Sequence, residues 1–221
     1  MQHKIPATEL EFGSLLSYCP RPTKNETKYA KDVMIAIKNE KMIKLKDSRE
    51  LHASKWIAKL LKNNIKLYED VFNEQTVLIP VPRSSLMKST SLWPSLEIAK
   101  ALGEEGFGVL RPILKREKKV VRSSTSKPEE RPKPIEHCRS LSINKTRLPS
   151  KKIVLVDDIV TRGHTFMGSA WKVLEVYPDA DIFCFSAMRT ISNEENFKSL
   201  LDPVRGTIYY REETEDCLRR P

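Results

Sequence analysis

The stretch Lys151-Lys152-Ile153-Val154-Leu155-Val156-Asp157-Asp158-Ile159-Val160-Thr161-Arg162-Gly163-His164-Thr165 divides into three parts. Ile153 to Val156 is an unbroken aliphatic run, mostly β-branched. With no polar alternation, it fits a strand covered on both faces, as in a parallel sheet. The carboxylates Asp157 and Asp158 follow at once, then a short polar loop from Thr161 to Thr165. Beyond the loop, Phe166, Ala170, Val173, Leu174 and Tyr177 recur at offsets of four, seven, eight and eleven. That is one face of a helix, with Thr165 as the predicted N-cap.

Strand, acid pair, tight loop and helix start together suggest a ligand. Loop N–H groups, two threonine hydroxyls and the positive end of the helix dipole converge on one small volume, which suits phosphate. Gly163 lets the backbone turn tightly there. Two carboxylates beside a phosphate repel it unless hydroxyls or cations lie between. A ribose supplies hydroxyls that donate to the acids, and bound Mg²⁺ offsets the remaining charge. The ligand these residues imply is a ribose 5-phosphate, with phosphate on the loop and diol on the acids.

Ile153 to Thr165 resembles the thirteen-residue phosphoribosyl-pyrophosphate (PRPP) motif of type I phosphoribosyltransferases: four apolar residues, two acids, two apolar residues and a Thr-rich loop containing Gly. The resemblance implies an α/β fold with a central parallel β-sheet flanked by helices and a small N-terminal hood subdomain. It implies that Asp157 and Asp158 hold the ribose hydroxyls. It also implies that Thr161, Arg162, Gly163, His164 and Thr165 cradle the 5-phosphate. Arg162 replaces the usual Thr or Ser and His164 a usual small residue; their side chains either donate to phosphate or point outwards.

A second α/β unit lies upstream. Thr76 to Val81 reads as a strand, and Pro80 and Pro82 mark its end. A helix follows from Ser91 to Gly103, with Pro94 near its first turn. In the family, the intervening loop binds pyrophosphate. Pro82, Arg83, Ser84 and Ser85 match that place, with Arg83 as the cation for the leaving group. The likeness is closest to the ComF-like branch, through the Val-Pro segment, Tyr18-Cys19-Pro20-Arg21 and Ile37-Lys38. The cysteine-paired zinc module that often precedes such domains is missing.

The remaining elements are read from periodicity. Residues 1–25 look irregular, with Leu15 to Tyr18 as a short strand or docked arm. A helix over 26–39 carries the stripe Tyr29, Val33 and Ile37. A second, over about 48–66, is capped by Asp47 or Ser48. Residues 104–110 make a short strand. Arg111 to Pro134 reads as a mobile basic loop, whose Lys115, Arg116, Lys118, Lys119, Arg122, Lys127 and Arg131 are candidates to reach pyrophosphate. His137 is either a loop anchor or a surface residue. Asp181 to Ala187 is a strand with Arg189 beyond it as an acceptor-side candidate. Ser192 and Glu195 form a capping box for a helix to Leu201, and Gly206 to Tyr210 is a last strand. This divides the chain into an N-terminal helical or hood region, 1–70, and an α/β domain, 71–221.

The net charge of the 221 residues is +10. Residues 109–152 hold fourteen Lys/Arg and four Glu, so the whole excess sits there. This is a solvated loop, an electrostatic funnel for an anionic small molecule, or a nucleic-acid surface. Four well-separated cysteines argue against a zinc ribbon or a disulfide framework. No apolar run reaches membrane-span length, and the start lacks a signal-peptide core, so the expected location is cytoplasmic without membrane contact. No Gly-x-x-x-x-Gly-Lys-Ser/Thr is present, against a kinase-like site.

Two functions follow from the resemblance. One is transfer of phosphoribosyl from PRPP to a nitrogen acceptor, with Mg²⁺ entering on PRPP rather than on a direct protein site. Some purine-specific members carry Asp where Thr161 stands, so a 6-oxopurine acceptor is disfavoured. The other is a non-catalytic PRPP-fold regulator in a nucleic-acid-linked system of the competence or defence type. Either leaves room for a homodimer or a partner protein.

Overall fold

Strand β1 (Glu9–Tyr18) opens the chain in the computed structural model, which describes residues 5–45, 48–86, 88, 90–121 and 132–221. The sequence predicts an irregular arm here. A ten-residue strand forms instead because exposed Glu9 and Glu11 alternate with buried Leu10 and Phe12, a period of two. Pro6, Pro20 and Pro22 fall outside it.

Helix α1 (Asn25–Lys38) stands where predicted, but its buried stripe is Ala30, Val33 and Ile37, with Tyr29 exposed. Strands β2 (Met42–Lys44) and β3 (Glu50–His52) then pair antiparallel. Helix α2 (Ala53–Asn63) starts only after that hairpin, later than predicted. Asp47, one expected cap, lies outside the described residues, and Ser48 sits in the hairpin turn at φ 65°.

Strand β4 (Val77–Pro80), helix α3 (Pro94–Glu104) and strand β5 (Val109–Leu110) form the expected unit. β5 pairs only with Val77 and Leu78, so Pro80 sits past that ladder, where its missing N–H is harmless on that side. The segment expected as a loop from Arg111 holds β6 (Leu114–Arg116). After α4 (Pro134–Arg139), β7 (Leu141–Ile143) pairs with it antiparallel. Arg122, Lys127 and Arg131 of the expected basic loop lie outside the described residues.

Strand β8 (Lys152–Val160), helix α5 (His164–Leu174), β9 (Asp181–Thr190), β10 (Leu201–Arg211) and β11 (Asp216–Arg220) complete the chain. The helix predicted from Ser192 to Leu201 shrinks to a 3₁₀ turn, Glu194–Asn196. Glu194 is drawn away to the start of α1, where its carboxylate accepts from the amides of Thr23 and Lys24 at 2.8 and 3.1 Å.

The central sheet has seven strands in the order β11-β10-β1-β9-β8-β4-β5. The five from β1 to β5 in that order run parallel; β10 runs against them, and β11, antiparallel to β10, runs with them again. Val154 and Val156 face α1, α2 and α3, while Ile153 and Leu155 face α4 and α5. A strand covered on both faces needs such an unalternated run. Residues 1–70, expected as a hood, supply β1 to the middle of this sheet, because Phe12, Leu15 and Leu16 are fully buried against it. Among the described residues, no helix is long and apolar enough to cross a membrane.

The connections place the ligand crevice. From β4 the chain crosses through α3 to β5 on one side. From β8 it crosses through α5 to β9 on the other, over the opposite face. The strand order therefore reverses between β4 and β8. The carboxyl ends at such a switch point leave a crevice, since their loops diverge.

Candidate functional site

A cavity of about 470 Å³ opens there, lined by the ends of β4, β8, β9 and β1 and the start of α5. All the residues from Asp157 to Phe166 line it. Gly163, rather than the expected Thr165, is the N-cap of α5, at φ 97°. A Cβ there would come within 2.5 Å of Ile208, so both backbone and packing demand glycine. Thr165 sits in the first helical turn. The amides of Arg162 to Phe166 donate to no other described residue. They remain available to an anion at a positive helix end.

The side chains of Arg162 and His164 turn outwards, the second of the two readings. Arg162 pairs with Asp216 of β11 at 3.0 Å, and buried His164 hydrogen-bonds the same carboxylate. Burial holds the His164 imidazole below its usual range, though Asp216 opposes this. Arg219, also on β11, donates to the carbonyls of Thr161 at 2.8 Å and Thr190 at 2.7 Å. The C-terminal strand thus clamps the loop from outside. The Thr161 hydroxyl lies 3.0 Å from that of Thr190, which lies 3.3 Å from that of Tyr18. Three strand ends are tied together in this way.

The acid pair forms the end of β8. Asp157 Oδ1 accepts from the Ser95 hydroxyl and the Asp158 amide, each at 2.9 Å. Asp158 Oδ1 accepts from the Ile159 amide at 2.8 Å. The second oxygen of each has no N–H or hydroxyl donor among the described residues. Burial, then the charge of Asp158, holds the Asp157 carboxyl well above the usual range. The free oxygens of the pair can accept from the hydroxyls of a diol. These two carboxylates are not a metal cage, and no group of three or more ligating side chains gathers among the described residues. Two carboxylates are too few to hold Mg²⁺ by themselves and would suit an ion already carried by a diphosphate.

The loop after β4 carries Pro82, Arg83, Ser84 and Ser85; Pro82, Arg83 and Ser84 line the cavity opposite the α5 start. Arg83 is exposed and donates to the Leu92 carbonyl at 2.7 Å. Beneath it, Arg116 departs from its expected place on a mobile loop. It is 4% exposed and holds the carbonyls of Arg83 and Pro82 at 2.9 and 3.2 Å. It shapes the loop from below. Lys115, Lys118 and Lys119 are exposed and do not line the cavity.

His137 is a correction to both earlier readings. It is buried in the cavity wall, neither a surface residue nor an anchor through its ring. Arg189 is also buried, at the end of β9, where it pairs with Asp202 and does not face the cavity. Tyr18, Pro20 and Lys38, singled out in small motifs, line the cavity. Ser95, Asp216 and Arg219 were not singled out. Nothing in their local sequence points to partners 62, 52 and 58 residues away.

The arrangement can hold an anion at the α5 start, a diol at the acids and a second anion at the β4 loop. No protein-family model matches the chain, and no curated protein matches it.

Proposed function

We propose that the chain binds PRPP with magnesium and transfers its phosphoribosyl group to a nitrogen acceptor, releasing pyrophosphate. One observation carries this reading. At one switch-point cavity, a helix start with free amides, two carboxylates with free oxygens and a loop bearing Arg83 line a common volume, the groups that a phosphate, a diol and a diphosphate need. The type I phosphoribosyltransferase resemblance supports the same assignment.

In the reaction the anomeric C–O bond breaks and a C–N bond forms. The electron pair leaves with pyrophosphate, and the ribose ring gains positive charge. Asp157 and Asp158 orient the ring through its hydroxyls, and the ionised carboxylate offsets that charge. Arg83 faces the departing diphosphate. The α5 amides fix the 5-phosphate and hold the sugar in register. Magnesium, when bound with the diphosphate, supplies further neutralisation of the leaving group.

The test is Mg²⁺-dependent pyrophosphate release with a mixture of nucleobases, beside thermal stabilisation by PRPP. Asp158→Asn should cut release by about 10² or more. If PRPP stabilises the wild type yet no acceptor yields pyrophosphate, the chain binds PRPP without catalysis. If PRPP does not stabilise it, the reading fails.

A second reading has its own observation. Lys115, Lys118, Lys119, Arg139, Lys145 and Arg147 of the basic segment are all exposed. A nucleic-acid contact there would weaken steeply with salt and be indifferent to PRPP.

A further inference from the structure

The cavity wall beside the β4 loop holds a buried cation, Arg116, on which the charge of Asp157 acts without forming an ion pair. Arg116 is 4% exposed, and its contacts are the carbonyls of Arg83, Pro82 and His137 and the hydroxyl of Ser140. No carboxylate lies within ion-pair distance of it among the described residues. A buried guanidinium usually has such a partner. Beside it stands His137, 2% exposed, whose Nδ1 and Nε2 both lack a hydrogen-bond partner among the described residues. Buried polar atoms are seldom left so. His137 is among the residues that line the cavity. Its backbone is locked in place, because Gly168 of α5 brings the two helices so close that a Cβ there would lie 2.6 Å from His137 Cβ.

We infer that His137 and Arg116 form an anion subsite of this cavity, in which the His137 imidazole donates a hydrogen bond to a phosphoryl oxygen of the ligand. Arg116 supplies field rather than a direct contact, since its donors already hold the loop carbonyls. His137 supplies the contact. Burial, then Arg116 and His164, push the imidazole down to about 3. The ring is therefore neutral and carries one N–H and one bare nitrogen. The inference rests on the ribose-phosphate reading of the same cavity. The phosphoryl group can come from the diphosphate or from the 5-phosphate, because the cavity that His137 lines reaches both the β4 loop and the start of α5.

The chain has four histidines, so imidazole ¹⁵N–¹H spectra of the whole protein resolve each ring. His137→Gln identifies the His137 signals. Spectra are taken with Mg²⁺ alone, then with pyrophosphate, ribose 5-phosphate or PRPP. The His137 nitrogens should shift with PRPP and with one of the two fragments, which names the phosphoryl group. His137→Leu should weaken PRPP binding about tenfold, and His137→Gln, which keeps a donor, by much less. If backbone amides around Gly163 respond to PRPP while the His137 ring does not move, the subsite is wrong and the cavity reading stands. If no signal responds to PRPP, both are wrong. Should His137→Leu not fold, the wild-type spectra decide alone.

Discussion

Asp157 shows how a single residue can oppose the fold that holds it. Its folded pKa is raised, so the folded chain binds this proton more tightly than the unfolded one. The contribution to stability falls as pH rises from the ordinary carboxylate value through the raised one. Asp157→Asn keeps an oxygen for the Ser95 hydroxyl and the Asp158 amide and removes the charge. It should raise Tm at pH 7 by about 2–4 °C, with a smaller gain at pH 5, and on the proposed function it should impair pyrophosphate release. Equal gains at both pH values would refute this account. Gly163 fails in the other direction. Alanine there meets both a left-handed φ and the Ile208 side chain. Gly163→Ala should cost roughly 1–3 kcal/mol, measured by urea denaturation, and Ile208→Ala in the same chain should not restore the backbone part.

At the scale of elements, β11 is the outer support of the loop from Thr161 to Thr165. Asp216 faces Arg162 and His164, and Arg219 holds the carbonyls of Thr161 and Thr190 while lying 5.4 Å over the Phe12 ring. Arg219→Ala leaves those carbonyls unpaired and loosens the loop without touching ligand. On the proposed function it should lower PRPP affinity by about tenfold in calorimetric titration. Full affinity in that variant would show that the loop keeps its shape unaided. The same element accounts for the outward turn of Arg162 and His164. Both bulky side chains have an acidic partner behind the loop, so only backbone faces the cavity. The local sequence showed the loop and the helix start. It did not show this support, which comes from a strand 52 residues further on.

Across the whole molecule, buried neutral histidines make acid a weakness. The His137 pKa is lowered from 6.5 to about 3, so its contribution to stability is full above about 6.5 and is lost as pH falls towards 3. His164, lowered mainly by burial, acts in the same sense. Asp157, with its raised pKa, acts in the opposite sense between pH 6.5 and 5, so the check is the difference between two chains: His137→Gln should make the stability slope less positive there by up to about 1.4 kcal/mol per pH unit. An unchanged slope would mean that His137 is not buried in solution. The seven-stranded sheet and its switch point set where these groups meet. Contiguous residues alone determined the covered strand Ile153 to Val156, the acid pair, the tight loop and the following helix, because hydrophobic period, turn chemistry and helix dipole act over neighbouring residues. Tertiary structure decided that β1 enters the sheet and that Arg116 and His137 are buried at the cavity. It also decided that Ser95 meets Asp157 and that β11 holds the loop. Each of those depends on groups brought together across tens of residues, and no local window carries the energy of a contact that exists only once the sheet has closed.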